Sequence, residues 1–234
     1  MKRDKTKAIS IIIPVLNEAE YINVLLSHLK KSRPHYCAEI IVIDGGSTDN
    51  TVGLAKSHGV KVLSSEKGRA RQMNLGARHA RGTILYFLHV DTLPPKTFDE
   101  TILHAVTNES QAGCFQMRFD SDSLLLRFFA WFTRINHRIC RGGDQSLFIT
   151  KELFLRSGGF NEDYRVYEDN EFVGRLYRET NFKVLPQKVR TSARKYEKMG
   201  PLRLQFYFGI IHIMNYLGAG PEQLYQYYNR KISI

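Results

Sequence analysis

Residues 83–95 read Thr-Ile-Leu-Tyr-Phe-Leu-His-Val-Asp-Thr-Leu-Pro-Pro, and the fold turns on this stretch. Ile84 to Leu88 is apolar at every position; His89-Val90-Asp91 then breaks the run, and Pro94-Pro95 follow. A short run without alternation suits a strand buried on both faces, as in a parallel sheet between helix layers. In such sheets ligands bind beyond the carboxyl ends of the strands, which is where Asp91 falls. A carboxylate there can hold a hard cation against a phosphate. It can equally cap the helix expected after the prolines, and these residues alone leave both roles open.

Upstream, strand and helix alternate. Ile9–Val15 is β-branched and apolar, a first strand closed by Pro14. Asn17 is a candidate N-cap with Glu20 three residues on, opening a helix that ends at Lys30-Lys31. Ala38–Ile43 is a second buried strand leading into Asp44-Gly45-Gly46. A helix from Thr48 or Asp49 to His58, a strand over Val60–Ser64 and a basic helix over Gly68–Arg81 complete the approach to Ile84. The β-α-β-α-β-α-β order predicts an α/β fold with a Rossmann-like, mostly parallel sheet and helices on both faces.

Downstream the alternation loosens. Helices are expected over Pro95–Asn108, Leu124–Ile139, Lys151–Ser157 and Asp169–Glu179, and strands over Cys114–Phe119, Gln145–Ile149 and Phe182–Val189. Two further helices, Pro201–Leu217 and Glu222–Arg230, form a helical C-terminal tail. The expected division is a domain over 1–194 and an extension over 195–234 packing on it.

The net charge of +11 favours an anionic partner such as a nucleotide, a lipid phosphate, a membrane or a nucleic acid. The basic residues are scattered and match no nucleic-acid-binding signature, so nucleic acid is not expected. Three distant cysteines argue for a reducing, cytoplasmic setting rather than a disulfide framework. The basic start Met1–Lys7 and the short, Pro14-broken run behind it do not read as a leader peptide. No stretch reaches the length of a spanning helix. The eight histidines show no zinc-ligand spacing.

Several residues suit chemistry, each with an ordinary structural alternative. Asp44 ends a strand before two glycines and can accept from a base or ribose, or make an Asx turn. Glu18 has no evident structural role. Lys67-Gly68-Arg69-Ala70-Arg71 puts cations at a helix start, where only an anion makes them favourable, and Asn74 lies one turn further on. Glu168, Asp169 and Glu171 crowd another helix start; such acids suit the helix dipole, and one of them can serve as a general base.

The order of these features resembles that of family 2 glycosyltransferases of the GT-A fold. The likeness rests on Ile-Ile-Pro-Val-Leu-Asn-Glu (12–18), Glu-Ile-Ile-Val-Ile-Asp-Gly-Gly-Ser-Thr-Asp-Asn-Thr (39–51) and Gly-Arg-Ala-Arg-Gln-Met-Asn-Leu-Gly-Ala (68–77). It continues through His-Val-Asp, Gly-Gly-Phe (158–160) and Glu-Asp (168–169). More narrowly, Ala-Arg-Gln-Met-Asn, His-x-Asp-Thr and Ser-Ala-Arg resemble a small bacterial subgroup linked to arsenosugar biosynthesis clusters.

The resemblance implies a sugar transfer from a nucleotide-diphosphate sugar, UDP-type, to an acceptor hydroxyl by a metal-assisted, inverting single displacement. The implied donor side is Pro14, Asn17, Glu18, Asp44, Gly45, Gly68, Arg71, Asn74, Asp91 and Arg194, with Asp44 reading the base. Asp91 would hold Mg²⁺ or Mn²⁺. His89 stands where the family carries the first Asp of Asp-x-Asp, so its part in metal binding is weaker. Asp169 would be the base, with Glu168 behind it, and Gly143, Asp144 and Gln145 would lie on the acceptor side. The Gln-x-x-Arg-Trp motif of processive members is missing, and Trp131 is the sole tryptophan. Two competing readings are a nucleotidyltransferase, disfavoured by the acidic Asn17-Glu18-Ala19-Glu20, and a basic module at a membrane surface. Aromatic Leu124–Ile139 and Phe206–Tyr228 motivate the latter, and contact with the inner face of a membrane is a further expectation.

Overall fold

The computed structural model describes residues 8–32 and 34–232; the basic segment 1–7, read above as no leader, lies outside them. Strand β1 (Ile9–Val15) is buried at all seven positions. Its alternate side chains serve two cores, as the period of two requires. Ile9, Ile11, Ile13 and Val15 pack with Ile22, Leu25, Leu26 and Leu29 of helix α1 (Ala19–Ser32). Ile12 faces the other way, onto Met73 and Ala77 of helix α3 (Arg69–His79). Each such side chain, fully buried, contributes roughly 1.5–3 kcal/mol. The α3 contact depends on Gly76, where a Cβ would stand 2.5 Å from Ile12 Cγ2.

On one side β1 pairs in parallel with β2 (Cys37–Asp44), which pairs with β3 (Lys61–Ser64); helix α2 (Thr51–Ser57) joins these two strands. On the other side it pairs with β4 (Ile84–Phe87), the run that opened the sequence reading. The two-residue β5 (Thr92–Leu93), helix α4 (Phe98–Thr107), β6 (Ala112–Phe119) and helix α5 (Leu124–Trp131) come next. They are followed by β7 (Leu147–Thr150), α6 (Lys151–Arg156), α7 (Glu168–Glu179) and β8 (Lys183–Thr191). The eight strands form one sheet in the order β3-β2-β1-β4-β7-β6-β8-β5.

The sheet is mixed, which corrects the expectation of a mostly parallel one. β7 runs against both β4 and β6, and β5 runs against β8. The physical reason lies in the connections. No crossover helix carries the chain into β7; it arrives through a loop of 3₁₀ turns, and antiparallel neighbours need no crossover.

The expected helix Leu124–Ile139 stops at Trp131 and continues as short 3₁₀ turns at Phe132–Arg134 and Arg138–Cys140. Thr133 Oγ1 donates back to Ala130 O at 2.6 Å and accepts from Met117 N on β6. The buried Arg141 guanidinium then gathers the freed carbonyls of Thr133, Ile135 and His137. An arginine placed to satisfy unwound backbone is invisible to helical periodicity.

The tail holds three helices, one more than expected: α8 (Arg194–Met199), α9 (Pro201–Tyr216) and α10 (Pro221–Lys231). Leu204, Ile211, Leu224 and Ile232 form a small core of their own with Tyr164, Val166 and Tyr167, the residues leading into α7. Tyr167, in the left-handed region at φ +72°, sends its hydroxyl to His212 Nδ1 at 2.8 Å.

Candidate active site

The carboxyl end of β1, the start of α3, residues 162–165 and Tyr225 of α10 enclose a cleft of about 490 Å³. Pro14, Glu18, Gly68 and Arg71 line it, as the sequence reading expects; Arg69, Arg165 and Tyr225 line it too. Gly68 has φ +144°, a conformation open to glycine, and turns the chain into α3.

The floor is built by side chains that bridge strand ends. Buried Gln72 donates from Nε2 to Val15 O and Ile43 O, both at 2.8 Å, and so ties β1 to β2. Gly45 leaves room for that amide. Asp44 accepts from the backbone N–H groups of Gly46 and Ser47 at 3.1–3.2 Å, which is the Asx-turn arrangement. Asn17 differs from the expected N-cap: it takes φ +53°, and its Oδ1 accepts from Thr48 N at 2.8 Å, joining the loops after β1 and β2.

Two chains of charge cross the mouth. In the first, Arg194 makes a two-pronged contact with Glu18, Nη1 to Oε2 at 2.9 Å and Nη2 to Oε1 at 2.8 Å. The same guanidinium lies 3.3 Å from Asp91 Oδ2 and 4.4 Å above the ring of Tyr21. In the second, His89 lies between Asp144 (Nδ1 to Oδ1, 3.6 Å) and Asp169 (Nε2 to Oδ2, 3.4 Å). Arg69 Nη1 stands 4.0 Å from Asp169 Oδ2 and donates to Glu168 Oε1 at 3.0 Å.

These contacts set the protonation states. Burial and Arg69 oppose a charge on His89, yet Asp144 and Asp169 outweigh them and push its pKa up to about 9, so the ring is cationic at neutral pH. Burial raises the Asp91 carboxyl, and Asp144 adds to the rise, against the pull of His89 and Arg194. Burial likewise raises Glu168, whose side chain is 2% exposed and whose Oε2 has no hydrogen-bond partner among the described residues.

Not every expected site residue faces this mouth. The Asn74 amide is taken up by Phe160 N, Phe160 O and Glu162, so it pins the Gly-Gly-Phe loop instead of facing the cleft. Gln145 is 1% exposed and bonds Gly142 N and Phe115 O. Arg71 does line the cleft, where it is paired with Glu66 and Glu162. Gly143 packs directly under Asp169 and His89.

Sequence reasoning missed Arg69 as the arginine that reaches the acids. Residues two apart on a helix point in widely different directions, and the Arg-Ala-Arg spelling does not say which one faces in. Arg165 and Tyr225 carry no sequence signal, because α10 reaches the cleft only through the tail's own core.

No group of three or more His, Cys, Asp or Glu side chains among the described residues is arranged to hold a metal ion. Both His89 nitrogens face carboxylates, which leaves Asp91 as the acid able to ligate. One carboxylate does not make a protein cage. It does fit a cation that arrives on phosphate oxygens, the usual way Mg²⁺ is held.

A mixed sheet with a basic cleft at the end of its central strand β1, flanked by Asp91 after β4, Asp144 before β7 and Asp169 on α7, has the α/β layout of the GT-A type. The model described as glycosyl transferase family 2 matches residues 10–185, and the chain belongs to that family and is a glycosyltransferase. It is 27% identical over 220 residues to a PGL/p-HBAD biosynthesis glycosyltransferase of Mycobacterium tuberculosis, covering 82% of this chain and 78% of the relative. It is 28% identical over 189 residues to an uncharacterized glycosyltransferase of Haemophilus influenzae, covering 74% of this chain and 63% of the relative. Among solved structures it is similar to the mannosyltransferase PcManGT from Pyrobaculum calidifontis in complex with GDP-Man and Mn²⁺. That match has a TM-score of 0.66 at 21% identity, over 96% of this chain and 71% of that one. S. aureus TarS 1-349 in complex with UDP gives 0.65 at 20% identity, over 79% of this chain and 60% of that one. The chain thus spans less than two thirds of TarS 1-349.

Proposed function

We propose that the protein is an inverting, non-processive transferase that moves a sugar from a nucleotide-diphosphate sugar, UDP-type, to an acceptor hydroxyl. The observation that carries this is the position of Asp169. Its carboxylate stands at the first turn of α7 between two cations, His89 and Arg69, beside the β4 end that bears Asp91. The flanking cations fix the orientation of the carboxylate, and a carboxylate held within reach of an acceptor hydroxyl can take its proton.

The donor diphosphate enters the cleft between Glu18 and the arginine-rich start of α3, where backbone N–H groups and guanidinium groups meet its charge. Arg165 and Tyr225 close the cleft from the tail side. Asp91 would hold Mg²⁺ or Mn²⁺, and the cation's chemistry there would be Lewis-acid stabilisation of the charge on the departing diphosphate. Arg194 shares that charge. The acceptor oxygen approaches from the side of Gly143 and Asp144 and forms its bond to the anomeric carbon as the bond to the diphosphate breaks. Asp169 takes the hydroxyl proton, and the single displacement inverts the centre. His89, cationic and locked to both acids, orients Asp169 and is not itself a base or a ligand. The reading takes residues 1–194 as the transferase domain and 195–234 as an extension that completes its donor cleft. The Ser192-Ala193-Arg194 layout supports membership of the arsenosugar-linked subgroup. The charge, cysteine use and fold suit a cytoplasmic enzyme.

A thermal-shift screen of UDP, GDP and their sugars with Mg²⁺ and Mn²⁺ tests the donor class. A metal-dependent shift that Asp91→Ala abolishes is expected; full retention in that variant overturns the role of Asp91. Asp169→Asn is expected to keep nucleotide affinity and lose turnover, and surviving turnover removes Asp169 as the base.

A further inference from the structure

Two helices carry large apolar side chains that the described residues leave uncovered. On α5, Leu124, Phe128 and Trp131 follow one another at spacings of four and three, which is one helix face, and they are 76%, 56% and 49% exposed. On α9, Leu204 and Ile211 face the tail core, while Leu202, Phe206 and Ile213 lie on the opposite side, 59–67% exposed. A helix that is apolar all round is ordinarily buried all round, and α9 is buried on one side only.

The two stripes flank a common element. α5 packs through Leu126 and Ala130 on Ala193 and Tyr196, and Tyr196 also joins the tail core that holds α9. The 3₁₀ turn after α5 brings Arg138 close enough to act on Tyr167, whose hydroxyl bonds His212 of α9.

The charges along the two stripes are basic, and exposed acids (Asp120, Asp122, Glu197 and Glu222) stand only at the ends of the two segments. Residues 123–143 contain Arg127, Arg134, Arg138 and Arg141 and no acid. Residues 198–221 contain Lys198 and Arg203 and no acid. Arg127, Arg134, Arg138 and Arg203 are exposed. Exposed aromatics beside exposed arginines, with the acids confined to the segment ends, match the surface of an anionic bilayer. A second copy fits poorly, because a two-fold interface would set these like charges against one another.

We propose that this face docks on the surface of an anionic lipid bilayer, with the α5 and α9 stripes in the headgroup region and the arginines on lipid phosphates. No helix among the described residues is long and apolar enough to cross a membrane, so the contact is interfacial. The chain leads from α5 through two 3₁₀ turns to Gly143-Asp144, so docking would bring the bilayer toward the acceptor side of the proposed site. That consequence rests on the transfer reading above, whereas the docking does not.

Trp131, the sole tryptophan, lies in the stripe and reports the contact in the unmodified full chain. Phosphatidylglycerol vesicles at low salt are expected to blue-shift its emission and carry the protein upward in flotation. Pure phosphatidylcholine vesicles, or high salt, are expected to remove most of the effect. Phe128→Ser/Phe206→Ser is expected to weaken flotation about tenfold. An unshifted emission with phosphatidylglycerol at low salt overturns the proposal, as does flotation unchanged in the double variant. A blue shift without vesicles that tracks a doubling of mass in light scattering assigns the face to a second copy and also overturns it. The UDP-induced thermal shift of the same samples shows that the variant is folded, and it reports on the donor site separately from docking.

Discussion

Gly143→Ala puts the proposed base under direct mechanical strain. A Cβ at this position would stand 2.5 Å from His89 Cε1 and 2.8 Å from Asp169 Cγ, where ordinary contact begins at 3.4 Å. The imidazole must retreat by roughly 0.9 Å, and the carboxylate, whose Oδ2 lies nearer the added Cβ than either of these atoms, by more than that. Neither has free travel: His89 is bracketed by Asp144 and Asp169, and Asp169 also faces Arg69. A displacement near 1 Å in a reacting group lowers turnover about 10²-fold, so a loss of roughly 30- to 100-fold in kcat is expected. The diphosphate side, Glu18, Asp91 and Arg194, is untouched, so nucleotide affinity should stay close to wild type. Overpacking adds a destabilisation of about 1–3 kcal/mol. The assay pairs nucleotide release from the donor sugar identified by thermal shift with calorimetric titration of the free nucleotide. Unchanged turnover in a folded Gly143→Ala protein would refute the placement of Asp169 at the reacting atoms. A parallel collapse of nucleotide affinity would refute the separation of the two charge chains.

Arg69→Ala strips Glu168 of its ion-pair partner among the described residues. Breaking a fully buried pair costs about 3–5 kcal/mol, and with Arg69 nearly half exposed the expected loss is about 2–3 kcal/mol; in urea unfolding, adding Glu168→Gln should recover part of it, and no recovery contradicts the buried-charge account. Tyr225→Ala should weaken nucleotide binding by about 1 kcal/mol, roughly fivefold, through loss of an aromatic wall of the cleft, and an unchanged calorimetric affinity would remove α10 from the donor site. Burial holds His212 below its ordinary value of 6.5. The unfolded chain therefore binds a proton near pH 6.5 that the folded chain resists, so stability is full above about pH 6.5 and falls as pH drops below it. Melting curves of wild type and His212→Phe should diverge in slope over that range, and parallel pH profiles would contradict it.

The half of the fold before Asp91 was legible because β1, the end of β2 and β4 are apolar runs buried on both faces and the turns are marked by Gly, Asp or Pro. Beyond it, periodicity failed where a single side chain decides the backbone. The break after Trp131 depends on Thr133 and on a buried Arg141 that lies eight residues further along. The direction of β7 depends on which strands it joins, a property of neighbours and not of Leu147–Thr150 themselves. In the candidate site, acids at strand and helix ends stand out as residue types, which is how the sequence singles out Asp91, Asp144 and Asp169. Whether an amide points into a cleft or back into a loop is written in its partners. Asn74 and Gln145 therefore turned out to hold backbone, and Gln72 escaped notice altogether.

The two-pronged contact between Arg194 and Glu18 joins residues 176 positions apart, the exit of β1 and the first residue of α8. Arg194 also leans on Asp91, so any ligand that neutralises Asp91 alters what holds the start of the tail. By thermodynamic linkage the converse holds with equal magnitude: whatever fixes the tail changes how tightly Asp91 meets its ligand. The guanidinium thus makes occupancy of the cleft and attachment of α8–α10 two readings of a single equilibrium, and a surface that gripped α9 would tune the enzyme's appetite for its donor from a distance.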